Sequence, residues 1–204
     1  MINTKSHQSG FTLIEVLISL FILTVIGGAV GVFQKDVFSL NSMISSNIVF
    51  QQEIRQVFKS MSSQIRSMSF SSIGAYPIGE ATSTSFMFYD DVDNDGLKER
   101  LRYFLSGNII QKGLLKPTGN PLSYNSDDEV ITDLVHYIVN GSTPIFEYYD
   151  QNYDGTTPPL TMPDGLLSIR LIKITIVVDK DSTKNPGPLL MTTQVSMRNL
   201  KDNL

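Results

Sequence analysis

The chain has 204 residues, 41% hydrophobic and 18% charged, which suits one folded domain with additional material and argues against a disordered chain or a coiled-coil rod. Sixteen Lys and Arg against twenty Asp and Glu leave a net charge of -4, so a general nucleic-acid surface has no electrostatic basis. No cysteine and only two histidines, His7 and His136, exclude disulfides, thiolate metal sites and thiol nucleophiles, and make a histidine metal centre hard to build.

Met1 to Gly10 is polar and carries Lys5. Residues 11 to 33, FTLIEVLISLFILTVIGGAVGVF, then form an apolar run with one charge, Glu15. At ~1.5 Å per residue this run makes a helix about 34 Å long, enough to cross a ~30 Å hydrocarbon core. A secretory signal core of ~7 to 15 residues is shorter, and no small-residue cleavage site follows the run. The positive-inside rule predicts a single-pass protein of the cytoplasmic membrane, with Met1 to Gly10 in the cytoplasm and everything after Phe33 outside. Two features do not suit a plain anchor. An ionised carboxylate at Glu15 costs ~2.5 to 3.5 kcal/mol in the apolar run, and Gly10 is a poor start for a helix unless something approaches the backbone closely.

Gly10-Phe11-Thr12-Leu13-Ile14-Glu15 followed by VLISLFILTVI resembles the class III signal peptides of type IV pilins and type II secretion pseudopilins. The resemblance implies cleavage by a membrane prepilin peptidase between Gly10 and Phe11, and N-methylation of Phe11. It also implies that Glu15 pairs with the Phe11 amine of a neighbouring subunit, so that a buried charge is offset only on assembly. The alternative is a Glu15 side chain that snorkels to the nearby membrane interface. Further partners implied are other pilin or pseudopilin subunits, an inner-membrane assembly platform with its cytoplasmic ATPase, and the lipid bilayer before assembly. The product is a filament on the cell surface or in the periplasm.

Beyond the membrane, Val37, Leu40, Ile44, Ile48, Ile54, Phe58, Met61, Ile65 and Met68 recur at three- and four-residue spacing, which predicts an amphipathic helix. With no proline from 11 to 70, one helix of about 58 residues and near 87 Å is the simplest reading. Gly27, Gly28 and Gly31 mark either a weak point or a place of close helix packing. After Ser69, short β-type runs alternate with turn signals, and strands are predicted near 84–90, 99–105, 108–115, 144–149, 167–178 and 189–198. Ser106-Gly107 signals a tight hairpin, while Glu129 to Val139 reads equally as a short helix or a strand. The predicted fold is α+β: a leader (1–10), a membrane and assembly half of the helix (11–33), an amphipathic half (34–70) and a β-rich antiparallel head (71–204). This order is similar to that of the larger minor pilins and pseudopilins.

Residues 71–164 hold fourteen of the twenty acids and five of the sixteen bases. Asp91-Val92-Asp93-Asn94-Asp95-Gly96 fits the first half of a calcium loop, in which carboxylates at alternate positions converge on one ion and glycine permits the turn. The twelfth position is Arg102 rather than Glu, and Glu99 at the ninth is the available substitute. Asp150, Asn152 and Asp154 repeat the pattern less completely. Asp/Asn-Gly turns with solvated acids account for both stretches equally simply. No cofactor is required, and calcium is the ion the motifs suggest. His136 reads as structural, Asn140-Gly141-Ser142 first as a turn, and Tyr148 and Tyr149 as facing opposite sides of one strand. No base and activated nucleophile stand out, so an enzyme is not expected. Two functions compete: a structural subunit, of the minor kind, in a type IV pilus or secretion pseudopilus, and a membrane-anchored, calcium-dependent binding or adhesion module. A plain tether needs neither Gly10 nor Glu15.

Overall fold

The computed structural model describes residues 11–180 and 187–197, without the side chains of residues 42–47. The chain divides into two compact units, Met1–Gln51 and Gln52–Leu204. One helix, α1 (Leu13–Ser67), runs through the boundary, and the remainder is antiparallel β-structure, an α+β arrangement.

In the first unit, Leu13–Asn41 is long and apolar enough to cross a membrane. Its large side chains are exposed within the chain, Phe21 at 69% and Phe33 at 68%. Two hydroxyls of this stretch return to its own backbone: Ser19 Oγ donates to the Glu15 carbonyl and Thr24 Oγ1 to the Phe21 carbonyl, both at 2.7 Å. The helix is unbroken through Gly27, Gly28 and Gly31, so these glycines do not melt it. Nothing lies within 4 Å of a Cβ placed at any of the three, which leaves room for another helix to approach.

In the second unit, Ile54, Phe58, Met61 and Ile65 are buried, at spacings that keep them on one face of α1. The predicted apolar stripe is therefore covered only from Ile54 onward; Val37, Leu40 and Ile48 are exposed, and Ile44 lies outside the described side chains. The antiparallel head is built as two sheets. The first runs in order β1 (Ile78–Ala81), β2 (Ser85–Asp90), β3 (Glu99–Ser106), β4 (Ile109–Leu115) and β5 (Val130–Val135). The second runs β6 (Phe146–Tyr149), β7 (Leu171–Val178) and β8 (Leu189–Ser196).

Period-2 alternation sets the core face of the first sheet. Phe86 and Phe88 in β2 lie opposite Tyr103 and Leu101 in β3, all four buried. Phe86 stacks on Phe88 at 5.2 Å and also meets Phe146 at 6.2 Å and Tyr148 at 5.8 Å, which ties the two sheets together. The tight β3–β4 hairpin turns at Gly107, whose φ of +60° favours glycine. β7 starts at Leu171 rather than near 167, because Leu166–Ser168 is a 3₁₀ turn. The ambiguous segment after Glu129 resolves as β5, and β1 was not anticipated, its Ile-Gly-Glu-Ala sequence having little strand character.

Asn140 does more than make a turn. β6 pairs with β7 only as far as Ile174, and the Asn140 side chain covers the next stretch of β7: Nδ2 donates to the Thr175 carbonyl at 2.9 Å and Oδ1 accepts from Val177 N at 2.8 Å. Tyr149, expected to differ from Tyr148 in exposure, is buried as well, because Tyr153 closes over it with ring centroids 4.0 Å apart.

Gly113 in β4 has a specific purpose. It pairs with Arg102, and the Glu129 side chain crosses β4 at this point to ion-pair with the Arg102 guanidinium, which also stacks on Phe104 at 4.0 Å. A Cβ at Gly113 would collide with the Glu129 carboxylate. Alanine is ordinarily better than glycine in a strand by ~0.5 to 1 kcal/mol, so Gly113→Ala tests the crossing by its sign. We expect a net loss of about 1 kcal/mol or more in denaturant unfolding, since a charge-assisted bond contributes ~1.5 to 3 kcal/mol. A stability gain would show that Glu129 reaches Arg102 without needing the gap.

Candidate functional site

Two stretches carry the residues singled out above. The first is the start of α1. Thr12 is its N-cap, and Glu15 is the third residue of the first turn. Thr12 N and Thr12 Oγ1 both donate to Glu15 Oε2, at 2.8 and 3.0 Å, while Glu15 N donates back to Thr12 Oγ1 at 3.4 Å. This is a capping box, which satisfies amide donors that the first turn leaves over and puts a carboxylate at the positive end of the helix dipole. Thr12 thus joins Glu15 as a site residue that the reading of the sequence passed over, although Thr-x-x-Glu before an apolar run is its signal. Both contacts fall on Oε2, which leaves Oε1 outside the cap. Phe11 is 88% exposed, and Gly10 lies outside the described residues.

The second stretch is the β2–β3 loop. Asp91, Asp93 and Glu99 converge, each bringing one oxygen within 4.8 Å of the others. Asp95 stands apart: its Oδ1 accepts from Leu97 N at 2.8 Å and its Oδ2 lies 3.7 Å from Lys116 Nζ. Strand alternation explains the unusual position of Glu99, which shares the core face with Leu101 and Tyr103 and lies opposite Asp90, itself buried. Desolvation pushes both Asp90 and Glu99 above the ordinary carboxylate range, whereas the Lys116 ammonium holds Asp93 below it.

Asp150, Asn152 and Asp154 are arranged differently. Asp150 Oδ1 accepts from Asn152 N at 2.9 Å. Asp154 Oδ1 accepts from the amides and hydroxyls of Thr156 and Thr157 at 2.8 to 3.0 Å, and these four donors hold its carboxyl well below the usual range. His136 is exposed, its ring 6.3 Å from that of Tyr137.

Residues 5–31 match the family profile described as the prokaryotic N-terminal methylation motif. This is the class III signal peptide of type IV pilins. The motif supports a type IV pilin-like or pseudopilin precursor, and implies processing by prepilin peptidase and assembly with other pilin subunits. It points to a structural subunit rather than an enzyme, and with the apolar helix it fits membrane anchoring. No curated protein matches the chain. The motif ends at residue 31, so the head rests on its own geometry.

The four bonds to Asp154 are stronger to the ionised carboxylate than to the protonated acid, so their extra contribution is present above the ordinary aspartate value of ~3.9 and is lost as pH falls through the lowered folded value. Asp154→Ala should therefore lower the melting temperature at pH 7, and the gap from wild type should narrow once the pH drops below about 4. Melting curves of the full chain in detergent from pH 7 to pH 2 check this. A gap that stays constant over that range would show that the carboxylate charge contributes nothing.

Proposed function

We propose that the protein is a structural subunit of a type IV pilus or a secretion pseudopilus, released from its leader between Gly10 and Phe11 and polymerised through α1. The observation that supports this reading most directly is the continuity of the methylation motif with an apolar helix whose side chains find no cover in their own unit. We further infer a minor subunit, at or near a filament end, on the likeness of its strand order to the larger minor pilins and pseudopilins. Assembly is driven by a cytoplasmic ATPase acting through a membrane platform, and the head faces outward.

Glu15 has a defined part in this reading. Its Oε2 caps its own helix through Thr12, and Oε1 is the atom to receive the new Phe11 ammonium of an adjacent subunit. In a low-dielectric surrounding an ion pair forms only where both charges are present, so the contact sets the axial register of subunits. A tethered binding module, the competing reading, needs a membrane span and nothing at Gly10, Thr12 or Glu15.

N-terminal mass spectrometry of protein from cells with an active prepilin peptidase should find a chain that starts at N-methylated Phe11. A chain intact from Met1, or cut beyond the apolar run, contradicts the filament reading. Glu15→Ala should insert into the membrane at least as well as wild type, because the carboxylate that costs ~2.5 to 3.5 kcal/mol in the span is gone. Its incorporation into filaments should fall, by at least about tenfold if one ion pair of ~1.4 kcal/mol is lost. Incorporation at the wild-type level would show that the Phe11 amine has another partner.

A further inference from the structure

Residues 91–98 form the loop between β2 and β3, and the carboxylates gathered there are not ordinary surface acids. Glu99 is 1% exposed, and its Oε1 is buried with no hydrogen-bond donor. Asp91 Oδ1 is likewise buried without a donor. A buried carboxylate oxygen that accepts nothing is costly, and one in a folded protein calls for a cation or a proton to account for it.

The donors of the loop all go elsewhere. Val92 N serves Glu99 Oε2 at 2.9 Å, while Gly96 N and Lys98 Nζ serve Asp91 Oδ2 at 3.2 and 3.0 Å. Lys116 pairs with Asp93. Asp91, half-buried, and Glu99, buried, therefore each have one oxygen satisfied and one buried oxygen left over.

The loop is also held in shape before any ligand arrives. Lys98 N donates to Ser72 Oγ at 2.7 Å, and Tyr124 OH donates to the Lys98 carbonyl at 2.5 Å. Asn94 at φ +59° and Gly96 at φ +92° make the reversal that returns the chain to Glu99.

We propose that Asp91, Asp93 and Glu99 form a calcium site, in which Asp91 Oδ1 and Glu99 Oε1 are protein ligands and Lys116 gives up Asp93 to the ion. An all-oxygen set in an irregular loop, open to water and peptide carbonyls on its exposed side, suits the six to eight ligands of calcium better than the strict octahedron of magnesium. The site is independent of whether the protein polymerises. It would cross-link the β2–β3 loop in a chain that has no cysteine.

Calcium-45 equilibrium dialysis of the full chain in detergent at pH 7, with magnesium as competitor, tests the site. Saturable binding of one calcium per chain is expected, with a dissociation constant of ~10⁻⁴ to 10⁻³ M, the range of extracellular modules, and magnesium at least about tenfold weaker. Glu99→Gln and Asp91→Asn should each weaken binding tenfold or more, while Asp154→Asn leaves it unchanged. Melting temperatures in calcium and in chelator show whether each variant is folded, and Asp91→Asn stands in if Glu99→Gln is not. Absence of saturable calcium binding up to about 10⁻² M overturns the proposal, as does binding that both variants retain. If wild type takes up no calcium and Glu99→Gln melts higher than wild type in chelator, Glu99 is a buried carboxylic acid and the site is refuted.

Discussion

The apolar half of α1 cannot be satisfied by its own chain. From Leu13 to Asn41 its large side chains project outward, a surface well beyond the few hundred Å² of contiguous apolar patch that a soluble monomer tolerates. Lipid or other copies of such a helix must cover it, and the first unit is built to accept either. Ser19 and Thr24 return their hydroxyls to the helix backbone, and the capping box satisfies donors at the first turn, so the segment brings few unmet polar groups into hydrocarbon. Bare glycine surfaces at positions 27, 28 and 31 then let a second helix come close.

Glu15 is the exception that gives this helix direction. A carboxylate in the first turn stabilises the helix through Thr12 and through the dipole, and both effects are internal to the chain. Neither removes its charge from the apolar run. One oxygen is committed to the cap, and in the proposed filament the other is the one that meets the Phe11 ammonium of a neighbour. A leucine there would insert more easily.

The helix and most strands were legible in the sequence because both rest on local periodicity. Ile54, Phe58, Met61 and Ile65 state the buried face of α1, and the alternation of Leu101 and Tyr103 with Arg100 and Arg102 states that of β3. What escaped is non-local. β1 is a strand because β2 offers it an edge, and Asn140 is buried because β6 stops short of Thr175. The crossing of Glu129 over Gly113 needs three neighbouring strands in register before it has meaning. At the helix start the opposite happened: Thr-x-x-Glu was readable, but the cost of a charge in an apolar run drew attention to Glu15 alone.

The two Asp-rich turns show why residue texture by itself does not assign a site. Asp150 to Gly155 and Asp91 to Gly96 share the same spacing of short polar side chains and the same terminal glycine, at φ +96° and φ +92°. In the first, Thr156 and Thr157 follow, and their hydroxyls and amides all converge on Asp154 Oδ1 from within an exposed turn. In the second, β3 follows, and its phase places Glu99 on the core side, where the loop has donors for only one of its oxygens. A shift of one residue in that strand would put Glu99 in water and Arg100 in the core, and the loop would then be an ordinary turn. The chemistry of the second turn is therefore decided by strand register, which the hydrophobic pairs Phe88 with Leu101 and Phe86 with Tyr103 enforce from within the core.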